Sequence, residues 1–122
     1  MSSQTYRKRR RPLEVKTKVW FEAGGRFVLG EGGIALLEGI REQGSIQGAA
    51  RRLGWSYRHT WGYIRNMEES AGVRFIDRTR GGRAGGGARL TPEAREFLRR
   101  YGTFRRALAR LVDGRFRKVF SG

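Results

Sequence analysis

The residues best able to do chemistry in this chain fall in one stretch, 45–66, SIQGAARRLGWSYRHTWGYIRN. Arg58, His59, Gly62, Tyr63, Arg65 and Asn66 recur there at helical spacing and make one polar face. Such side chains donate to or accept from base edges and phosphates. Tyr57, Trp61 and Ile64, spaced four and three, are expected to face inward. Trp61 shares that face with Ile64, so it is read as core rather than as a base-stacking platform. Catalysis is not expected. His59 is the single histidine, and its place on the polar face suits a nucleic-acid contact better than a general base. The carboxylates are scattered. Glu68-Glu69 reads as a solvated pair near a helix end, and Asp77, in a basic strand, as the partner of a nearby Arg. No His, Asp and Glu set has metal-ligand spacing.

The elements that must position this face can be read on either side of it. Ser45 is a good N-cap, and Ile46, Ala49, Ala50 and Leu53 follow at i, i+3, i+4 and i+7. Ala49 and Ala50 are small, so a second helix can pass close over this first one. Gly54 supplies a positive-φ turn, and Ser56 caps the next helix. Small residues on a first helix, a glycine turn and a polar second helix make a helix-turn-helix, the second helix aimed at DNA. Ser45, Ser56, Tyr57, Arg58, His59, Tyr63 and Arg65 are the binding candidates it supplies.

The balance of charge agrees. In 122 residues, 27 basic side chains outnumber 11 acidic ones, for a formal charge of +16. Arg dominates the basic set, and its planar fork suits phosphates and guanine edges. A surplus this large implies nucleic acid or an anionic membrane as partner. The length fits one domain with a modest core at 38% hydrophobic content. With no cysteine, disulfides, thiol catalysis and zinc fingers are excluded. No apolar run follows the basic N-terminus, and none reaches the roughly 18 residues of a membrane span. The expected compartment is the cytoplasm.

In chain order, residues 1–13 carry Arg7, Lys8, Arg9, Arg10 and Arg11 and read as a flexible tail, or as an arm that follows DNA on binding. Residues 15–22 alternate, with Val15, Thr17, Val19 and Phe21 on one face, and Ala23-Gly24-Gly25 turns the chain into a second strand at Arg26–Leu29, giving a hairpin. Trp20, on the polar face, is expected to pack on a neighbouring helix or another subunit. Gly30 to Gly33 are read as a break before a helix marked by Ile34, Leu37 and Ile40 and ended by Gly44. The polar helix runs to about Ala71, with Gly72 as breaker.

Val73–Thr79 reads as a strand and Ala88–Leu90 as its return. Between them GGRAGGGAR (81–89) makes a wing, with Arg80, Arg83 and Arg89 for phosphates; a plain glycine linker is the alternative. It is not a nucleotide-binding P-loop, because Ala88-Arg89 stands where Lys and then Ser or Thr are needed. Thr91-Pro92-Glu93 opens a helix whose apolar residues recur to about Val112. It is long for a small domain, so the expectation is a two-fold dimer with this helix in the interface; Gly102 falls inside it as a bend or close contact. Residues 113–122 read as a frayed basic tail, leaving 14–112 as the domain.

With these motifs in place, the chain resembles the N-terminal DNA-binding domain of the ModE family, molybdate-responsive bacterial repressors and activators. The resemblance is carried by LGEGGIALLEGIREQGSIQGAARRLGWSYRHTW (29–61) and GGRAGGGARLTPEAR (81–95) and covers roughly 15–112. AARRLG, the following Ser, LT and GVRFIDRT also resemble the wider LysR-type group. Tyr57-Arg58 with Trp61 and the doubled glycine run lean toward ModE. The resemblance implies a winged helix-turn-helix dimer on a palindromic operator. Ser56, Tyr57, Arg58 and His59 would open the recognition helix, and Arg80, Arg83 and Arg89 would serve the wing. ModE regulators carry molybdate-binding domains after this region. With the sequence stopping at Gly122, molybdate sensing is not expected here.

The expected fold is therefore mainly α with small β: a winged helix-turn-helix with an N-terminal hairpin and a long C-terminal helix. The expected role is sequence-specific DNA binding by a transcriptional regulator without enzymatic activity, metal or cofactor. The alternative is a non-specific architectural DNA-binding protein.

Overall fold

The structure is a computed structural model that describes residues 11–78 and 87–121. The basic segment 1–10, and the wing positions Arg80 and Arg83 with the glycine run at 81–86, lie outside the described residues.

Two short strands open the fold, β1 (Phe21–Ala23) and β2 (Arg26–Leu29), paired antiparallel with Ala23 opposite Arg26. Gly24 and Gly25 join them at φ 58° and 78°. Two consecutive positive φ angles make the tight turn whose twist matches a hairpin. The expected hairpin is present, but the alternating segment 15–20 is not part of it. β2 has four residues before Gly30 turns into a helix, so residues before Phe21 find no ladder partner. Thr17 is held instead by Arg105, which donates to its Oγ1 at 2.7 Å and its carbonyl at 3.0 Å. Trp20 is exposed, and its Nε1 donates to Glu22 Oε2 at 3.0 Å.

Helix α1 spans Glu31–Gln43, three residues earlier than the glycines imply. Gly33 lies inside the helix and is buried because nothing larger fits. A Cβ there would stand 2.6 Å from Leu29 Cβ and 2.7 Å from Tyr63 Oη. Gly44, at φ 71°, ends α1, and helix α2 (Ile46–Leu53) follows. A Cβ on Gly39 of α1 would meet Ala49 Cβ at 3.1 Å, so the small residues of α2 serve close approach to α1. Arg52 and Glu42 add an ion pair between the two helices. Gly54, at φ 73°, ends α2, and helix α3 runs Tyr57–Ala71 to the breaker Gly72 at φ 69°.

A second antiparallel pair follows, β3 (Ile76–Arg78) and β4 (Ala88–Leu90), with Ile76 opposite Leu90, Asp77 opposite Arg89 and Arg78 opposite Ala88. Ile76, Ala88 and Leu90 turn inward to join Leu29, Leu36, Leu37, Ile40, Ile64 and Met67 in one core. Helix α4 then runs Pro92–Phe120, 29 residues, or about 44 Å at 1.5 Å per residue. The segment from 113, expected as a frayed tail, continues this helix. Phe116, Val119 and Phe120 extend its apolar spacing, and Arg117 and Lys118 in the last turn suit the negative end of the helix dipole. The first turns of α4 are the best covered: Ala94 and Leu98 are buried, with Phe97 and Tyr101 against Phe21, while Leu108, Val112 and Phe116 further along are half-buried. The helix passes through Gly102 and Gly114 without interruption.

Candidate nucleic-acid interface

The polar face is built on α3. Ser56 Oγ accepts the His59 N–H at 3.0 Å, and the Ser56 carbonyl accepts Thr60 Oγ1 at 2.8 Å. This cap leaves Tyr57, Arg58 and His59 exposed on a first turn without an acidic residue. Free helix N–H groups, the positive end of the dipole and an arginine together favour an anion at that end.

The buried stripe of α3 is Thr60, Ile64 and Met67, not Tyr57, Trp61 and Ile64. The face is turned from the expected one because Thr60 enters the core with its hydroxyl already bonded to the Ser56 carbonyl, which removes the cost of burying it. Tyr57 is left 55% exposed, its ring edge-on to Trp61 at 5.9 Å. Trp61 is half-buried on the flank, and its Nε1 is buried without an acceptor among the described residues.

Tyr63 also departs from expectation. It is half-buried, its hydroxyl accepts the Gly30 N–H at 3.2 Å, and its ring lies 5.3 Å from Trp55 and 6.3 Å from Phe27. A tyrosine buries its ring and satisfies its hydroxyl in this way. Tyr63 therefore braces α3 against the hairpin and the start of α1. His59 stays exposed, edge-on to Trp55 at 4.6 Å. Arg65 and Asn66 are exposed, and a Cβ on Gly62 would meet nothing within 4 Å. The open face thus comprises Arg58, His59, Gly62, Arg65 and Asn66. Ser45 serves as a cap, its Oγ accepting the Gly48 N–H at 2.9 Å.

Glu68 was expected to be solvated. Its Oε2 instead accepts the backbone N–H groups of Phe75 at 2.8 Å and Ile76 at 3.1 Å. One carboxylate on α3 thereby fixes the start of β3. Thr91 closes the other side: its N–H donates to the Phe75 carbonyl and its Oγ1 to the Arg74 carbonyl. The Ala88 N–H donates to the Gly44 carbonyl at 2.9 Å, tying β4 to the turn before α2. The base of the wing is thus held to the helix-turn-helix at two places, by Glu68 and by Gly44, and Thr91 ties its two sides together. Arg89 is exposed on β4 opposite Asp77, and among the described residues the two form no ion pair. Sequence reasoning also passed over Arg78, whose guanidinium lies 4.3 Å from the centroid of the Trp61 ring.

Carboxylates on the α1–α2 and α4 surfaces are engaged by arginines. The Arg52 hydrogen bond holds Glu42 below the usual carboxylate range, and hydrogen bonds from Arg99 and then Arg100 hold Glu96 at about 2. Among the described residues, no group of His, Cys, Asp and Glu is placed to hold a metal ion, and no helix is long and apolar enough to cross a membrane.

The chain is similar in sequence to several known proteins. Molybdenum-pterin-binding protein MopB of Rhodobacter capsulatus is 36% identical over 80 residues, 66% of this chain and 30% of that protein. Molybdenum transport protein ModE of Herbaspirillum seropedicae is 41% identical over 64 residues, 52% of this chain and 24% of that protein. The DNA-binding transcriptional dual regulator ModE of Escherichia coli is 35% identical over 68 residues, 56% of this chain and 26% of that protein. The chain thus spans less than a third of the length of these relatives. The crystal structure of the BenM_DBD/catB site 1 DNA complex overlaps at a TM-score of 0.48 and 22% identity, covering 73% of this chain and 92% of that one. The profile of the bacterial regulatory helix-turn-helix proteins matches residues 33–95, from within α1 through the start of α4, and the chain belongs to their lysR family.

Proposed function

We propose that the chain is a sequence-specific DNA-binding transcriptional regulator of the ModE type, acting in the cytoplasm as a homodimer on a palindromic operator. The observation that carries this reading is the first turn of α3. Tyr57, Arg58 and His59 stand exposed there at a capped, acid-free helix end, with the base of a wing fastened to the same helix by Glu68. In this reading Arg58 and His59 meet base edges in the major groove, while Arg65, Arg89 and the wing arginines Arg80 and Arg83 grip phosphates. Tyr63 contributes by holding the angle of α3. Ser45 and Ser56 contribute by fixing the two helix starts.

The dimer is supported by α4. Phe104 is 50% exposed, Leu111 and Val119 64% and Phe120 65%, along a helix far longer than its own core covers. A two-fold partner would cover such a stripe. The matched relatives include proteins named for molybdenum, but the aligned segments are under a third of their length. The reading therefore extends DNA recognition to this chain and assigns it no molybdate site.

The charge of +16 favours a second reading, a non-specific architectural DNA-binding protein. Selection from random duplexes at moderate salt separates the two. Enrichment of an inverted repeat, with half-sites about one helical turn apart, is the result expected of a dimeric regulator. Equal affinity for selected and scrambled duplexes would leave the architectural role. Within the first reading, Arg58→Ala costs about 1–3 kcal/mol on the selected site and little on scrambled DNA.

A further inference from the structure

Arg78 is the last residue of β3, and strand alternation puts its side chain on the same face as Ile76, toward α3. Its ladder partner is Ala88, whose small side chain leaves that face open. Across the opening lies Trp61, with the guanidinium of Arg78 over its ring at 4.3 Å. Arg78 is exposed, and among the described residues it has no carboxylate partner. A guanidinium over an indole is attracted by the ring quadrupole, a contact that needs no hydrogen-bond acceptor, so its N–H donors can still serve a ligand. It is also held in place before any ligand arrives, which lowers the cost of ordering a long side chain.

With Arg78, the surroundings hold three arginines against two glutamates. Arg65 and Arg74 line the same groove between α3 and the strand, together with Glu68 and Glu69. Glu68 is already committed to two backbone amides. Arginine in a groove of this kind matches the paired oxygens of a phosphate.

We propose that Arg78 is a DNA-backbone contact at the junction of recognition helix and wing, and that Trp61 is its positioning residue. The proposal rests on the reading of the chain as a duplex-DNA binder. It adds a phosphate anchor that lies on the wing strand but is set by the flank of α3. A shift of the wing relative to α3 therefore changes this contact.

The test uses the full chain and fluorescence anisotropy with a selected duplex and a scrambled one across a salt series. Arg78→Ala is expected to lower the slope of log affinity against log salt by about 0.9, on both duplexes alike. Arg78→Lys keeps the charge and is expected to keep the slope. Trp61→Leu is expected to weaken binding, and Arg78→Ala in that background to cost several-fold less than it does beside Trp61. Trp61→Phe, which keeps an aromatic face, is expected to retain most of the affinity. Urea melts establish that each variant folds, and Trp61→Met replaces Trp61→Leu if the latter does not. An unchanged slope for Arg78→Ala would overturn the contact, and additive losses from Trp61 and Arg78 would overturn the positioning role. If the unsubstituted chain bound neither duplex, the DNA-binding reading itself would fall. Binding by that chain with no effect of Arg78→Ala would sink this inference alone.

Discussion

Glu68 Oε2 lies 2.8 Å from the backbone nitrogen of Phe75, and the same oxygen accepts the next amide, Ile76, at 3.1 Å. A side chain in the last turns of α3 thus holds the start of β3, in addition to the ladder that pairs β3 with β4. Removing the acceptor leaves two part-buried N–H groups unpaired. Glu68→Ala is expected to destabilise the fold by about 1–3 kcal/mol, because an unpaired buried donor keeps its full desolvation penalty. Glu68→Gln keeps one acceptor and should cost less. Urea melts of the two variants check this, and equal losses would remove the hydrogen bonds from the account.

Gly33 tests the packing of α1 against the hairpin and α3. A Cβ would enter contacts of 2.6 Å to Leu29 and 2.7 Å to Tyr63, and Leu29 is fully buried. Gly33→Ala would gain helix propensity of about 1 kcal/mol in open space. Here overpacking of about 1–3 kcal/mol opposes it, and the expected net effect is a loss. A more stable Gly33→Ala variant would show that Tyr63 can move away freely, and with it the brace on α3.

Gly62 makes the opposite prediction. It sits inside α3, and a Cβ added there would have no neighbour within 4 Å. Gly62→Ala is expected to stabilise the isolated protein by about 0.5–1 kcal/mol. If this face meets DNA, the added methyl group lowers affinity for the selected duplex while stability rises. Thermal melts and anisotropy on one preparation give both numbers. Unchanged affinity would take Gly62 off the contact surface.

Glu96 gives a pH dependence with a defined sign. Hydrogen bonds from Arg99 and Arg100 hold its carboxyl at about 2, below its ordinary value of 4.5. A depressed carboxyl stabilises the folded form above the ordinary value and loses that contribution as pH falls toward 2. The difference in melting temperature between the natural chain and Glu96→Gln should therefore be constant above about pH 5 and vanish near pH 2. The group is exposed, so the difference is small and shrinks in high salt. A difference that persisted near pH 2 would mean that the arginines do not act through the ionised carboxylate.

Local sequence determined the punctuation of this protein. Ser45, Ser56 and Thr91 cap helices because a hydroxyl at that point can take up an otherwise unpaired N–H. Gly44, Gly54 and Gly72 end helices because they adopt positive φ without a Cβ penalty. Charge and spacing also picked out Arg58, His59, Arg65 and Asn66 as one polar face of α3, and all four are exposed. Tertiary structure decided what those side chains do. Glycine carries no mark in sequence that separates a breaker from a close contact, and only the approach of Leu29 and Tyr63 made Gly33 the latter. Tyr63 left the polar face because Gly30, 33 residues away, offered its amide. Glu68 became an anchor, and Arg78 a cation over the Trp61 ring, because β3 returns to the side of α3. Those partners lie 7 to 17 residues from them along the chain, beyond the reach of helical or strand periodicity. The spacing of apolar residues on α4 was legible, but where the helix stopped was not. Gly114 could end a helix, and it stays helical because its neighbours on both sides keep the pattern to Phe120.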